Sequence, residues 1–192
     1  MALDNKPATL RNSSLKERFK VMFLSGHLRH FPGHEKTLDI GCGWGFSLKI
    51  NPGFYCVDAD RACIEYLQSC GANAHFADVS SQLPFADSFF DNAFTHDVLE
   101  HLEEGEMLQL FEEARRVIRV GGLFMNIVPN KKGYDAGLDP AVGHKRFVTE
   151  REVRAAAAMT GFAFERSWAT PLPGWFGELF THNKLVTVCR AI

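Results

Sequence analysis

The chain has 192 residues, 46% of them apolar, and a formal net charge of −2 at pH 7. This length accommodates one domain with a sizeable core, and no apolar run approaches the roughly 20 residues that a membrane-spanning helix needs. Because the net charge is close to zero, the protein as a whole does not attract nucleic acid electrostatically. We therefore expect no nucleic-acid partner unless the surface carries a local basic patch.

The N-terminal sequence and the cysteines indicate a compartment. Met1–Lys6 has neither a basic start followed by an apolar core nor a small-residue cleavage site, so no signal peptide is predicted and we expect a cytoplasmic protein. The five cysteines form no Cys-x-x-Cys pair, which argues against a disulfide framework and a zinc site. The histidines between residues 27 and 34 lack cysteines or acids at ligand spacing and are expected in a loop or on the surface, so no metal site is predicted.

An N-terminal amphipathic helix is the first predicted element. Residues 14–17 have the form of a capping box, and apolar residues recur at helical spacing at Leu15, Phe19, Met22 and Phe23. We expect the helix to pack on the domain through these residues. Two functional interpretations stay open, a flap over a bound ligand and a basic contact with a membrane surface.

From Thr37 onward, strand and helix patterns alternate, which predicts a doubly wound, mostly parallel α/β sheet. We expect a single domain over residues 1–192, with a helical extension at 1–34 and a Rossmann-like core at 36–192. The first predicted strand ends at Ile40, and the others are 53–57, 74–76, 92–95, 123–128, 162–168 and 184–190. The predicted helices are 62–69, 106–119 and 149–160, the second ending at a run of arginines before Gly121-Gly122.

The first strand ends in an acid and opens into a glycine turn, Gly41-Cys42-Gly43-Trp44-Gly45. Glycine lacks a Cβ, so a ligand can approach the main chain closely there. The third glycine comes one residue earlier than in the Gly-x-Gly-x-x-Gly of dinucleotide folds, which disfavours a nicotinamide cofactor. The Asp39 carboxylate suits a ligand with an ammonium group, such as S-adenosylmethionine. Trp44 is expected to pack under the strand, with a position over the bound ligand as the alternative. Asn51-Pro52-Gly53 is expected to end the next helix within two turns.

Three further segments with recognisable patterns follow along the chain. They are Gly53–Asp60, then Phe76–Val79 with Leu83–Phe94, and then Val98–Leu102. Together with Asp39–Gly43 they resemble the class I S-adenosylmethionine-dependent methyltransferases, the large family that includes the ubiquinone and menaquinone biosynthesis methyltransferases. The resemblance covers roughly residues 36 to 164. It implies seven strands in the order 3-2-1-4-5-7-6, with the last strand antiparallel, and S-adenosylmethionine as the cofactor.

The resemblance also implies roles for individual residues. Asp39 and the glycine turn would hold the methionine end of the cofactor, and Asp58 would accept hydrogen bonds from both ribose hydroxyls, with Asp60 the weaker candidate. Asp78 would accept from the adenine amino group, and the Val79 N–H would meet a ring nitrogen. The full set of implied cofactor-binding residues is Asp39, Gly41, Cys42, Gly43, Asp58, Ala59, Asp78, Val79 and His96.

Catalysis by methyl transfer needs the acceptor, the methyl group and the departing sulfur in line, and this alignment can supply most of the rate without a base. For a base, His96 after the fourth strand is the first candidate and His144 the second, with His101 ranked lower. Residues 94–97 lack the Asn/Asp-Pro-Pro-aromatic motif typical of nucleic-acid amino methylases, which favours a small-molecule acceptor. The rival interpretations are a catalytically silent protein that binds S-adenosylmethionine as a partner or regulator, and a nicotinamide oxidoreductase.

Two long segments are neither strand nor helix by pattern. Pro129–Arg146 is rich in basic residues, and Pro171–Asn183 is rich in aromatic residues. Together they would form a lid over an acidic or aromatic acceptor. The alternative is that the basic residues are solvated and the aromatic residues cover the edge of the sheet.

Overall fold

The structure, a computed structural model, describes residues 15–31, 36–78, 81–130, 143–170 and 184–192. Its strands form one sheet in the order β3-β2-β1-β4-β5-β7-β6. The neighbours from β3 to β5 pair in parallel, whereas β7 is antiparallel to both β5 and β6. This confirms the expected order and the antiparallel last strand. The strands are β1 (Thr37–Ile40), β2 (Tyr55–Asp58), β3 (Asn73–Phe76), β4 (Phe90–His96), β5 (Ile118–Pro129), β6 (Phe162–Thr170) and β7 (Lys184–Ala191).

Helices cover both faces of this sheet. They are α1 (Leu15–Leu28), α2 (Arg61–Ser69), α3 (Glu104–Val117) and α4 (Glu150–Thr160). Successive strand residues face opposite sides. In β5, Phe124 packs with Phe111 of α3, while the next residue, Met125, belongs to the cluster that contains Leu24 of α1 and Ile64 of α2. The result is an α/β/α sandwich with two apolar cores.

The first helix packs on the domain, although Met22, one of the residues expected to pack, does not take part. Val21, Leu24 and Leu28 are buried, whereas Met22 is 62% exposed. The spacing of three and four residues along the buried set is a helical stripe. Phe23, also expected to pack, is half-buried and its ring contacts that of His27. Leu24 and Leu28 join Val186 and Val188 of β7 in one core cluster, so α1 lies across the antiparallel half of the sheet.

The boundary between α3 and β5 differs from the expectation. The helix ends at Val117, and the chain turns directly into β5 at Ile118, because Ile118 pairs with Phe90 of β4. Gly121-Gly122 therefore lies inside the strand. A Cβ on Gly122 would come 2.3 Å from the Asp91 carbonyl oxygen, which explains glycine there by close strand approach rather than by a helix end.

The segment after the glycine turn is shorter than predicted. A single 3₁₀ turn, Phe46–Lys49, replaces a two-turn helix, and the chain then bends at Asn51 toward β2. Within the described residues, no helix has the length and apolar character that crossing a membrane requires. The parallel strands β1, β2 and β4 all end at one edge of the sheet, where their loops define the candidate site.

Candidate cofactor site at the carboxyl edge of the sheet

The glycine turn is fixed in place by β2. The backbone N–H groups of Gly41 and Cys42 donate to the Val57 carbonyl oxygen at 2.9 and 3.1 Å. The Gly43 N–H donates to Asp58 Oδ2 at 2.7 Å, and Asp58 Oδ1 accepts from the Asp60 N–H at 2.8 Å. A carboxylate has about four acceptor positions, so Asp58 both holds the turn and keeps capacity for ligand hydroxyls.

The first two glycines of the turn serve different purposes. Gly41 has φ +77°, and a Cβ there would lie 2.4 Å from Cγ2 of Val98, so the turn packs tightly against the segment after β4. Gly43 has φ +50°, and a Cβ there would meet no described atom within 4 Å. The space beside Gly43 is therefore open, as a main-chain contact with a ligand requires.

Asp39 is a buried acid beneath this turn. Its residue is 4% exposed, and the Ser47 hydroxyl donates to its Oδ2. Burial raises the pKa of Asp39 to about 7; the Ser47 hydrogen bond opposes this rise and the charge of Asp58 adds to it. A carboxyl group poised near neutrality can ionise when a cationic ligand arrives. Asp39 is thus suited to an ammonium group and unsuited to a phosphate.

The remaining residues expected at the cofactor are distributed along the same edge. Ala59 and Asp78 are exposed at the ends of β2 and β3. Asp60 caps α2, because its side chain accepts from the Ala62 N–H at 2.9 Å. Val79 lies outside the described residues.

Cys42 and Trp44 lie on opposite sides of the turn. The Cys42 side chain is buried in the core, and its pKa is raised, so this residue offers a ligand its backbone rather than its thiol. Trp44 does not pack under β1 as expected. It is 64% exposed and contacts the Tyr66 ring at 5.6 Å, at the mouth of a cavity of about 320 Å³ between the turn and α2.

His96 ends β4 beside a charged pair. Its Nε2 lies 3.5 Å from Asp97 Oδ2, and the buried Lys184 of β7 bonds to Asp97 Oδ1. Asp97 has φ +58°, an unusual value outside glycine that often marks functional segments. Burial pushes the pKa of Asp97 upward, but the charges of His96 and Lys184 outweigh burial and hold that pKa below its ordinary value.

His27 of α1 lies near this pair, which the sequence did not indicate. It is buried rather than at the surface, and burial, followed by the charge of His96, lowers its pKa to about 4. Its ring contacts Trp168 of β6 at 5.7 Å between centroids. The helix α1 therefore lies beside the end of β4.

His144 contacts a second group of residues. Its Nε2 lies 3.9 Å from Glu100 Oε1, and its ring centroid lies 5.0 Å from that of His101. Residues 131–142 and 171–183, which include most of both expected lid segments, lie outside the described residues. The described part of the first segment, residues 143–146, runs along the turn that follows β4.

The sequence of this chain also matches that of a known protein family. Residues 38–126 match the family described as a methyltransferase domain. This match begins in β1 and ends in β5, and so contains the glycine turn, Asp58, Asp78 and His96. The methyltransferase-domain match agrees with the resemblance to the class I S-adenosylmethionine-dependent methyltransferases. It does not single out the ubiquinone and menaquinone enzymes.

Two curated relatives and one solved structure extend the methyltransferase-domain match. The tRNA (carboxymethyluridine(34)-5-O)-methyltransferase of Arabidopsis thaliana is 30% identical over 105 residues, which are 53% of this chain and 26% of that protein. The protein of Mycolicibacterium smegmatis named probable S-adenosylmethionine-dependent methyltransferase is 25% identical over 145 residues, 72% of this chain and 56% of that protein. The chain thus spans about a quarter and about half of these relatives.

The solved structure shows the fold. Geranyl diphosphate C-methyltransferase from Streptomyces coelicolor A3(2), crystallised with Mg²⁺, geranyl diphosphate and S-adenosyl-L-homocysteine, superposes with a TM-score of 0.70 at 16% identity, covering 92% of this chain and 81% of that one. The chain therefore has the Rossmann-like fold of the S-adenosylmethionine-dependent methyltransferases.

Several residues of this edge escaped the sequence analysis. Ser47 gave no signal, because its bond to Asp39 depends on the fold of the turn. Lys184 stands at the start of an apolar strand, and a single cation there is a weak signal on its own. Glu100 was noted only as part of a matching segment, and its position beside His144 joins residues 44 apart in the chain.

Proposed function

We propose that this chain transfers a methyl group from S-adenosylmethionine to a small-molecule acceptor at the carboxyl edge of its sheet. One observation carries the proposal: Asp58 fixes the open Gly43 backbone from β2 while the buried acid Asp39 lies beneath the same turn. This arrangement offers hydroxyl acceptors and an ammonium partner within one loop. Both are features that S-adenosylmethionine requires.

Each residue of this edge would make its own contact with S-adenosylmethionine. Asp39 would pair with the methionine ammonium group, Asp58 would accept from the ribose hydroxyls, and Asp78 with Val79 would meet the adenine. Gly41, Cys42, Gly43 and Ala59 would contribute backbone contacts. When bound, the cofactor supplies an electrophilic methyl group on a sulfonium.

His96 is the residue that we propose as general base. It ends β4, and the Asp97 carboxylate beside it favours the imidazolium that forms when an acceptor loses its proton. The His96 ring would take the acceptor proton at Nδ1, because Nε2 faces Asp97. The bound cofactor would supply the methyl group to the acceptor, and its sulfur would retain the electron pair of the broken carbon–sulfur bond. His144 lies beside Glu100 and His101, and we keep it as the second candidate.

The small-molecule acceptor is part of the proposal, with RNA as the alternative that the plant tRNA methyltransferase favours. Two features support a small molecule: the net charge of −2, and Phe94–Asp97 in place of the amino-methylase motif. A silent S-adenosylmethionine-binding protein remains the rival function.

The experiment is methyl transfer from radiolabelled S-adenosylmethionine to separate pools of phenols, small carboxylic acids, amines and bulk tRNA. The proposal expects label on a small-molecule pool, and loss of that label in His96→Ala with cofactor affinity retained. Exposed His75→Ala is the matched control and should keep full turnover. Label on tRNA alone would replace the acceptor class, and cofactor binding without label on any pool would favour the silent protein.

A further inference from the structure

A cluster of three metal-ligating side chains lies beside the proposed methyl-transfer site. Glu100, His101 and His144 each present one ligand atom, and these atoms all lie within 4.8 Å of one another. Glu100 and His101 belong to the 3₁₀ turn after β4, whereas His144 comes from the segment that precedes α4. The fold, rather than a local motif, brings the three together.

The Glu100 carboxylate is the anomalous member of the cluster. The residue has 0% exposure, and neither carboxylate oxygen has a donor within hydrogen-bond distance among the described residues, apart from a looser contact with the Asp97 carboxyl group. Burying such an acid without compensation is costly, since a buried polar group ordinarily has a partner. Burial, and then the charge of Asp97, raise the pKa of Glu100. A cation bound between Glu100 and the histidines would remove this cost.

His101 is prepared for ligation by a contact on its far side. Its Nδ1 lies 3.1 Å from the Gly143 carbonyl oxygen. A carbonyl oxygen can only accept, so Nδ1 carries the hydrogen, and the Nε2 of the neutral ring keeps its lone pair. This second contact, from ring nitrogen to backbone carbonyl, is the one that orients histidine ligands in metal sites.

Hydrogen bonds from the backbone and from Arg146 hold the two halves of the cluster together. The Lys145 N–H donates to the Glu100 carbonyl oxygen at 2.9 Å, and Arg146 Nε donates to the Leu102 carbonyl oxygen at 3.1 Å. Gly143, with φ +76°, makes the turn that delivers His144. The ligands are therefore placed before any ion binds, which lowers the entropy cost of binding.

We propose that Glu100, His101 and His144 bind a first-row divalent transition-metal ion such as Zn²⁺ or Co²⁺. One carboxylate with two imidazoles suits these ions better than Mg²⁺ or Ca²⁺, which prefer oxygen ligands. The 3.9 Å between His144 Nε2 and Glu100 Oε1 is too long for a hydrogen bond, and a small contraction brings both atoms to a shared ion. Three protein ligands leave a coordination position for water or an oxygen of an acceptor.

The test is Co²⁺ titration of the full chain without a histidine tag, followed by visible absorption and equilibrium dialysis. The site predicts one Co²⁺ per chain, displaced by Zn²⁺ and retained in a large excess of Mg²⁺. His144→Gln and His101→Gln should each weaken binding at least about tenfold. His75→Gln, which alters an exposed histidine of β3, is the matched control and should bind as the wild type does.

Glu100→Gln is the sharpest variant, because it keeps the shape and removes the charge. It should lose Co²⁺ binding while its apoprotein remains folded by circular dichroism. Where that variant does not fold, His144→Gln, at a half-buried position, decides the matter. Absence of saturable Co²⁺ binding in the wild type, or unchanged affinity in His144→Gln, would overturn the proposal. Neither measurement depends on cofactor or acceptor, so failure here leaves the methyltransferase proposal intact.

Discussion

Ser47 donates its hydroxyl hydrogen to the buried Asp39 carboxyl group, so the 3₁₀ turn and β1 are joined at the base of the proposed cofactor site. This hydrogen bond stabilises the ionised form of Asp39, whereas burial destabilises that form. The net pKa of about 7 places the charge change of this acid in an accessible pH range. Ligand affinity and protein stability should both depend on the protonation state of Asp39.

Affinity for S-adenosylmethionine should rise with pH between 5.5 and 7. The ligand amino group stays largely protonated there, while Asp39 must lose its proton to pair with it, so affinity should rise by up to about tenfold per pH unit. Calorimetry in buffers of different ionisation enthalpy would measure the released proton. Asp39→Asn should bind more weakly and lose this slope. A flat profile in the wild type would contradict the assigned contact.

The contribution of Asp39 to the stability of the free protein should fall as pH rises, whereas its contribution to ligand affinity should increase. The folded-state pKa lies above the unfolded value near 4, so the neutral acid contributes stability that is present below pH 4 and lost as pH rises through 7. Asp39→Asn should therefore gain stability relative to the wild type as pH increases over this window. Urea unfolding of both proteins at pH 5 and pH 8 would measure the difference. A constant difference would show that Asp39 does not titrate there.

Substitutions at the two glycines should separate stability from ligand binding. Gly41→Ala places a Cβ against Val98 and should cost about 2 to 4 kcal/mol, which Val98→Ala should partly restore. Gly43→Ala meets open space, so its cost should stay near 1 kcal/mol while cofactor affinity falls at least about tenfold. Thermal unfolding and calorimetry on the same samples would separate the effects. Equal loss of affinity in both variants, without a difference in stability, would contradict this division.

Arg116 should be a principal stabiliser of the loop between β3 and β4. Its guanidinium donates to the Leu83 and Phe85 carbonyl oxygens and pairs with Glu113, so Arg116→Ala should cost about 2 to 4 kcal/mol. Arg116→Lys should not recover this loss, because an ammonium cannot span these acceptors. Arg119→Ala, which removes a 58% exposed side chain paired with Asp91, should cost under about 1 kcal/mol. Similar unfolding midpoints for the two alanine variants would contradict the role of Arg116.

The pair Lys184–Asp97 should show strong coupling. Lys184→Met leaves the Asp97 carboxylate without its buried cation and should cost about 1 to 3 kcal/mol, less than for a fully buried pair because Asp97 is partly exposed. Adding Asp97→Asn should restore much of this loss. A double-mutant cycle by chemical unfolding measures the coupling. Additive losses would show that the pair contributes nothing beyond its separate residues.

The parts of this fold that follow local patterns could be predicted from the sequence. Apolar runs in the sequence located β1, β2 and β4, and the acids near the ends of the first two, Asp39 and Asp58, lie at the expected edge. The end of α3 could not be placed, because the arginines and Gly121-Gly122 imitate a helix terminus while strand pairing with β4 decides the boundary. Trp44 was misplaced for a related reason: its contact is Tyr66, on another element.

Residues joined over long sequence distances could not be predicted at all. Lys184 and Asp97 are 87 positions apart, and Glu100 and His144 are separated in the chain by all of α3 and β5. Neither pair leaves a trace in periodicity or motif spacing. His27 shows the same limit, since its burial against Trp168 depends on how α1 crosses the sheet.

The most direct test of the account is calorimetric and thermal titration of the full chain with S-adenosylmethionine, S-adenosylhomocysteine and NAD. Asp58→Asn should lose the binding, and Asp60→Asn, which removes a neighbouring carboxylate from a helix cap, should keep it. At a hundred times its dissociation constant, either sulfur ligand should stabilise the wild type by ~2.7 kcal/mol, a rise of about 5 to 11 °C in Tm. Stabilisation by NAD alone, or equal binding in Asp58→Asn, would contradict the proposed cofactor site.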